Sequence, residues 1–255
     1  MTKHKLSDIT GSRPHQNVVL KSSKIDYLNV RNMDEIYTSL EMDTKKPGQF
    51  FLMLDGITDP QNFGSILRST IFLGVDGIIV NTKDACGLTP AVSKVSSGAL
   101  EFLPLFSVKF VGKFLEDVKS QKHNFRIIST NIDEDSIEQV KEEDEMNESI
   151  NQDQDADLKN YKRFADKDLP QVESTKGILS LKDLELSRDE NIIVVLGSEG
   201  KGVSRTISKL ADDRVYIPPK LDSSMTGKYP FNMIDSLNVG VSAALMLYHI
   251  KNLRL

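Results

Sequence analysis

Two rhythms of apolar residues run through the chain. Stretches rich in Val, Ile, Leu and Phe stand at 50–54, 77–80, 125–130 and 191–197, with shorter ones at 17–20, 102–105 and 214–218. Between them, apolar positions recur three and four apart at 33–41 (Ile36, Tyr37 and Leu40 on one side), up to about Leu73, and at 89–98, 111–121, 203–210 and 237–253. Runs without alternation read as strands buried on both faces, and the longer rhythm reads as helices. Strands and helices that alternate in this way predict an α/β fold, a parallel sheet with helices on both faces. Thr89 followed by Pro90 marks a helix start. Asp235 or Ser236 stands where the closing helix needs a cap. In that helix Gly240, Ser242, Ala243 and Ala244 are small enough to let another helix come close.

Composition narrows the class. Of 255 residues, 39% are hydrophobic and 27% charged, which suits a globular protein. No apolar run approaches the roughly 18 residues of a membrane helix, so no membrane partner is expected. One cysteine, Cys86, excludes a disulfide framework. The four histidines are scattered and no Cys-x-x-Cys occurs, so no metal site is expected. The first twenty residues, "MTKHKLSDITGSRPHQNVVL", have neither the apolar core of an export signal nor the arginine-rich pattern of a transit peptide.

The net charge of −5 is unevenly spread. Residues 133–157 hold twelve acids and one lysine, and the rest of the chain is therefore net +6. The acidic stretch, with the polar sequence running on to about 176, is expected to be disordered. A basic body with an acidic excursion suits an RNA partner better than the total charge implies.

Three stretches carry candidate chemistry. "DPQNFGSILRST", 59–70, places an amide, a glycine and an arginine where a strand hands over to a helix, among residues (Ile66, Leu67, Ile71, Phe72) that read as core. "VLGSEGKGVSR", 195–205, follows a strand and brings glycines to 197, 200 and 202. It is not a P-loop, because Gly202 follows Lys201 and Val195 stands where the first glycine should be. Nor is it a dinucleotide fingerprint, since Arg205 replaces the third glycine. The third stretch, 216–250, ends a strand on Pro218 and opens the closing helix with "SLN", whose asparagine gains little in a first turn unless its amide is used.

In order and spacing, Asn62-Phe63-Gly64 with Arg68, Gly197-Ser198-Glu199-Gly200 with Gly202, and Ile217-Pro218 with Ser236-Leu237-Asn238-Val239 resemble the three motifs of the SpoU/TrmH family. These are the RNA ribose 2′-O-methyltransferases of the SPOUT superfamily. The resemblance covers roughly 48–253 and looks most like the mitochondrial members that modify large-subunit ribosomal RNA. "GSRPHQNVVL", 11–20, resembles the end of the family's accessory RNA-binding domain, although Asn17 replaces a commoner glycine. The chain thus divides into 1–47, a remnant of that domain with its linker, and 48–255, the catalytic domain with the acidic insertion at about 133–176. The longer loop between Pro219 and Ser236 is a second departure from the family pattern.

The resemblance implies a C-terminal trefoil knot, a homodimer in which the closing helix takes part, and S-adenosylmethionine held in the knot with no metal needed. Gly197, Ile217 and Leu237 match the positions whose main chain reads the adenine, with Thr130 at its border. Asn62, Glu199, Ser236 and Asn238 match the polar positions that order the site. Asn62 is expected to end the loop after the strand, and the helix to turn Arg68 toward the ribose. Family proposals make this arginine the base. A guanidinium rarely gives up its proton, so the role preferred here is to hold an RNA phosphate and stabilise the developing alkoxide. The implied substrate is guanosine in large-subunit ribosomal RNA, the implied compartment the mitochondrion. Transfer RNA as substrate stays open, though no basic tail extends from the chain, and so does a catalytically silent knotted assembly factor, which would have no need to keep Asn62, Arg68 and Asn238.

Overall fold

The computed structural model describes residues 2–12, 14–130, 178–198, 200–218 and 237–254. The run Phe50–Leu54 forms β2, and all five of its residues are buried, as a central strand covered on both faces requires. Gly77–Asn81 (β3) and Asn191–Leu196 (β7) flank it in parallel. Leu28–Asn29 (β1), Leu105–Val108 (β4), Phe125–Thr130 (β5), Ile178–Ser180 (β6) and Asp213–Tyr216 (β8) complete an eight-stranded sheet. Its order is β1-β4-β3-β2-β7-β5-β8-β6, with parallel neighbours throughout.

Alternate side chains of β2 enter different cores. Leu52 and Leu54 share a core with Phe63, Ile66 and Leu67 of Pro60–Phe72 (α3), Val92 of Pro90–Ser96 (α4), and Ala243 and Leu247 of Val239–Leu253, here α7. Phe51 and Met53 face the other way, toward Met33 and Ile36 of Met33–Leu40 (α2), Phe114 and Leu115 of Val111–Lys119 (α5), and Ile207 of Arg205–Leu210 (α6). The period-two pleat of one apolar strand therefore feeds two helical layers. A further helix, Lys3–Ile9 (α1), contains no buried residue.

Several sequence expectations shift. Residues 17–20 are not a strand; Val18 and Leu20 are exposed, and the sheet edge on that side is β1, paired with β4. β1 and α2 are thus built into the sheet and its second core. The apolar run at 102–105 is mostly turn: Phe102 points to solvent, and pairing begins where Ile78 donates to the Pro104 carbonyl, so the strand is Leu105–Val108. The strand expected at 214–218 is Asp213–Tyr216, and β6 arises where no strand was expected. Ile66 and Leu67 are core, but Ile71 and Phe72 are not; Phe72 is 86% exposed. The acidic insertion, the long loop at 219–236 and the knot expected to involve it lie outside the described residues.

Candidate active site

From β2 the chain builds outward through β3 and β4, whereas β7 is flanked on its far side by β5, β8 and β6. The strand order thus changes direction between β2 and β7, and α/β sheets bind ligands outside the carboxyl ends of strands at such a point. The two strand ends are tied together: the Asp55 amide donates to the Leu196 carbonyl at 2.9 Å.

The glycine turn after β7 folds back on itself. Ser198 and Gly202 exchange backbone hydrogen bonds at 3.0 Å each. Gly200 and Gly202 have φ of 86° and 64°, a region that favours glycine. A Cβ on Gly197 would lie 2.1 Å from the Gly202 carbonyl carbon. Gly197 must therefore be small because its own turn returns against it, a reason independent of any ligand. Its amide donates to the Thr130 hydroxyl at 3.3 Å, joining the ends of β7 and β5. The buried Asp55 carboxylate accepts from the Ser204 amide at 2.8 Å and pins the turn where α6 begins.

The N-termini of α3 and α7 meet each other. In α3 the Asp59 carboxylate caps the amides of Gln61 and Asn62, and Pro60 occupies the first position. Asn62 therefore lies in the first turn of the helix rather than at the end of the loop. In α7 the cap is Asn238, not Asp235 or Ser236, which lie outside the described residues. Its Oδ1 accepts from the Gly240 and Val241 amides at 3.0 and 3.4 Å. Its Nδ2 donates to Asn62 Oδ1 at 2.8 Å. The amide that has little use in a generic first turn here caps one helix and bonds to another. A Cβ on Gly240 would sit 3.3 Å from the Ser65 hydroxyl, so the small residue permits the α3–α7 approach.

Arg68 lies six residues beyond Asn62, about 9 Å further along α3. It is exposed, and its Nη1 donates to the Ser97 hydroxyl at 3.1 Å. Beside it the outer sides of α3 and α7 form an open groove of about 660 Å³, lined by Arg68, Phe72, Val241, Leu245 and Tyr248 among others.

Of the residues chosen from the sequence, the structure joins Asn62 to Asn238 and Thr130 to Gly197. Ile217 directly follows β8, the neighbour of β5, and Leu237 directly precedes the cap of α7. Arg68 shares α3 with Asn62 but bonds elsewhere. Glu199 and Ser236 lie outside the described residues. Two residues were missed. Asp55 had a weak signal, a carboxylate ending an apolar run. Ser97 had almost none, a serine in the "SSG" that ends α4.

A parallel sheet with tight turns and paired helix N-termini at its carboxyl edge defines an α/β protein with a ligand crevice at the strand ends. The comparison with known families is more specific. The model of the SpoU rRNA Methylase family matches residues 49–248, and the chain belongs to that family of methyl-transferring enzymes. It is 30% identical to the mitochondrial rRNA methyltransferase 1 of Saccharomyces cerevisiae, over 97% of this chain and 57% of the yeast protein. It is 28% identical to a Bacillus subtilis protein named for the TrmH family of tRNA/rRNA methyltransferases, over 95% of this chain and 71% of that one. The fold matches the SpoU methyltransferase AviRb of Streptomyces viridochromogenes, crystallised in complex with the cofactor AdoMet. There the TM-score is 0.55 at 20% identity, covering 85% of this chain and 64% of the other. The chain thus spans little more than half of the yeast relative.

Proposed function

We propose that the protein transfers a methyl group from S-adenosylmethionine to a ribose 2′-hydroxyl of RNA, a guanosine of large-subunit ribosomal RNA in mitochondria. The observation that carries this reading is the Asn62–Asn238 hydrogen bond, which joins two helix N-termini at the carboxyl edge of the sheet. Support for the cofactor comes from the AviRb complex, and for ribosomal RNA and the compartment from the name of the yeast relative.

The residues present fit the cofactor. Thr130, Gly197 and Ile217 end three adjacent strands, β5, β7 and β8, at the edge where α7 begins. The glycine turn and the ends of β5 and β8 offer main-chain donors and acceptors, and Ile217 and Leu237 add apolar side chains, a combination suited to the flat face and hydrogen-bonding edge of a purine. S-adenosylmethionine supplies an electrophilic methyl group, so the demand on the protein is to orient the ribose and ease loss of its 2′ proton. Asn62 and Asn238 hold each other's orientation and so order the polar groups offered to the ribose. Arg68 binds an RNA phosphate and stabilises charge developing on the 2′ oxygen, as its fork of donors allows. Glu199 and Ser236 complete the polar set in this proposal, with the knot enclosing the cofactor. Of residues 1–47, proposed as the remnant of an RNA-binding domain with its linker, the stretch from β1 through α2 packs with the sheet and its second core. The exposed apolar side chains Phe72, Val241, Leu245 and Tyr248 on α3 and α7 are assigned to a homodimer contact.

The test is incubation of the purified chain with radiolabelled S-adenosylmethionine and separate transcripts of mitochondrial large-subunit ribosomal RNA and total tRNA, followed by mapping of ribose methylation. A single 2′-O-methylguanosine in the ribosomal transcript is expected. Label confined to tRNA refutes the substrate. Cofactor binding without transfer to either RNA supports a silent assembly factor.

A further inference from the structure

The helix α4, like α2 at Glu41, ends on a left-handed residue that is not glycine. Its C-cap, Ser97, has φ 54° and ψ 38°, the left-handed conformation, and Gly98 follows with φ 91°. Residues other than glycine are uncommon there, and Asn and Asp tolerate it best. A glycine would serve this cap better than serine does. At Ser97 the side chain adds a specific contact: its hydroxyl accepts from Arg68 Nη1 at 3.1 Å. Among the described residues Arg68 makes no other side-chain hydrogen bond.

The turn that presents Ser97 is held firmly from below. Ser96 is buried; its hydroxyl donates to the Ser93 carbonyl at 3.0 Å and accepts from the Leu100 amide at 3.2 Å. The distance between α3 and α4 is fixed by Gly64, where a Cβ would stand 2.7 Å from Val95 Cβ. Arg68 and Ser97 therefore sit on two helices locked at close range, and the hydroxyl aims an otherwise exposed guanidinium.

We propose that Ser97 is a positioning residue that orients Arg68 for the RNA. The inference rests on the role given to Arg68 above. A serine that served only as a helix cap would be improved by glycine with nothing lost.

The experiment compares Ser97→Gly, Ser97→Asn, Arg68→Ala and the double variant Arg68→Ala/Ser97→Gly, with the large-subunit ribosomal RNA transcript and S-adenosylmethionine as probes. Ser97→Gly should melt no lower than the parent and bind S-adenosylmethionine unchanged, yet lose about tenfold in kcat, the size of a hydrogen bond to a charged group. Ser97→Asn, which accepts the backbone conformation and restores an acceptor, should recover most of that rate. In the Arg68→Ala background Ser97→Gly should cost nothing more, because the residue it acts through is gone. Wild-type kcat in Ser97→Gly, or a further loss in the double variant, overturns the proposal. If Arg68→Ala itself turns over at the wild-type rate, the assignment of Arg68 fails instead. A readout that needs no turnover is the NMR signal of the Arg68 guanidinium. Restricted Nη rotation in the parent and free rotation in Ser97→Gly are expected, and identical spectra refute the contact.

Discussion

The sheet separates two helical layers of similar apolar make-up. One, α3, α4 and α7, contributes Phe63, Ile66, Leu67, Val92 and Leu247 to its core; the other, α2, α5 and α6, contributes Met33, Ile36, Phe114, Leu115 and Ile207. Each even contains an asparagine N-cap, Asn238 on α7 and Asn32 on α2, the latter accepting from the Glu35 amide at 3.1 Å. Only the first layer holds Asn62, Arg68 and Asn238. Its helices approach through Gly64 and Gly240, so that polar groups at their ends come within reach of one another. The second layer is joined instead by charged groups at its rim. Lys119 donates to both the Leu210 carbonyl and the Asp212 carboxylate at 2.8 Å. Lys122 pairs with Asp34, which this hydrogen bond holds below the usual carboxylate range. The buried His123 lies 3.7 Å from Asp117 and 3.8 Å from Asp34. The contrast teaches that apolar burial builds either layer, while the site arises where small residues bring helix ends together.

The sharpest division between the layers should come from Phe114→Ala. This side chain is fully buried in the second core, and its loss should lower unfolding free energy by about 3–5 kcal/mol in denaturant titration. Below the melting transition kcat should stay at the parent value; a fall in kcat for the folded fraction would mean the second layer also tunes the site.

Arg68→Ala should do the reverse. Its melting temperature should hold, since the side chain is exposed, while turnover falls at least ~100-fold, the scale of one lost oxyanion donor. Arg68→Lys should be nearly as poor, because a point charge does not reproduce a planar fork. Lysine at close to the parent rate would eliminate the fork model.

The two asparagine caps offer a matched pair. Asn32→Ala and Asn238→Ala should each cost about 1 kcal/mol in thermal or chemical unfolding. Only Asn238→Ala should also reduce methyl transfer, having lost its bond to Asn62. Equal activities would make Asn238 a cap and nothing more.

The smallest effect is expected at the rim of the second layer. Lys119→Met removes a partly exposed ion pair and should change stability by about 0–1 kcal/mol, less at high salt. A larger loss would show that the α5–α6 seam depends on charge more than on Phe114 and its neighbours.

Much of this protein was legible in the order of its residues because the signals are local. The run at 50–54 gave β2, Thr89-Pro90 gave the start of α4, and continuous apolar strands gave a sheet covered on both faces; each depends on neighbours within one or two turns of chain. The three motifs likewise named Asn62, Arg68, Gly197 and Asn238 as residues of interest. Topology decided what those residues touch. Asn62 and Asn238 meet across 176 positions, and no local pattern encodes a contact between two helices that the sheet order happens to align. The same holds for Arg68 and Ser97, for the exposure of Phe72 at the end of an apolar helix face, and for β1, a two-residue strand that exists only because β4 offers it an edge. Gly197 shows both levels in one residue. Its sequence marked a close approach, and the folded chain identified what approaches: the backbone of Gly202, returning through a turn in which Gly200 and Gly202 are both left-handed.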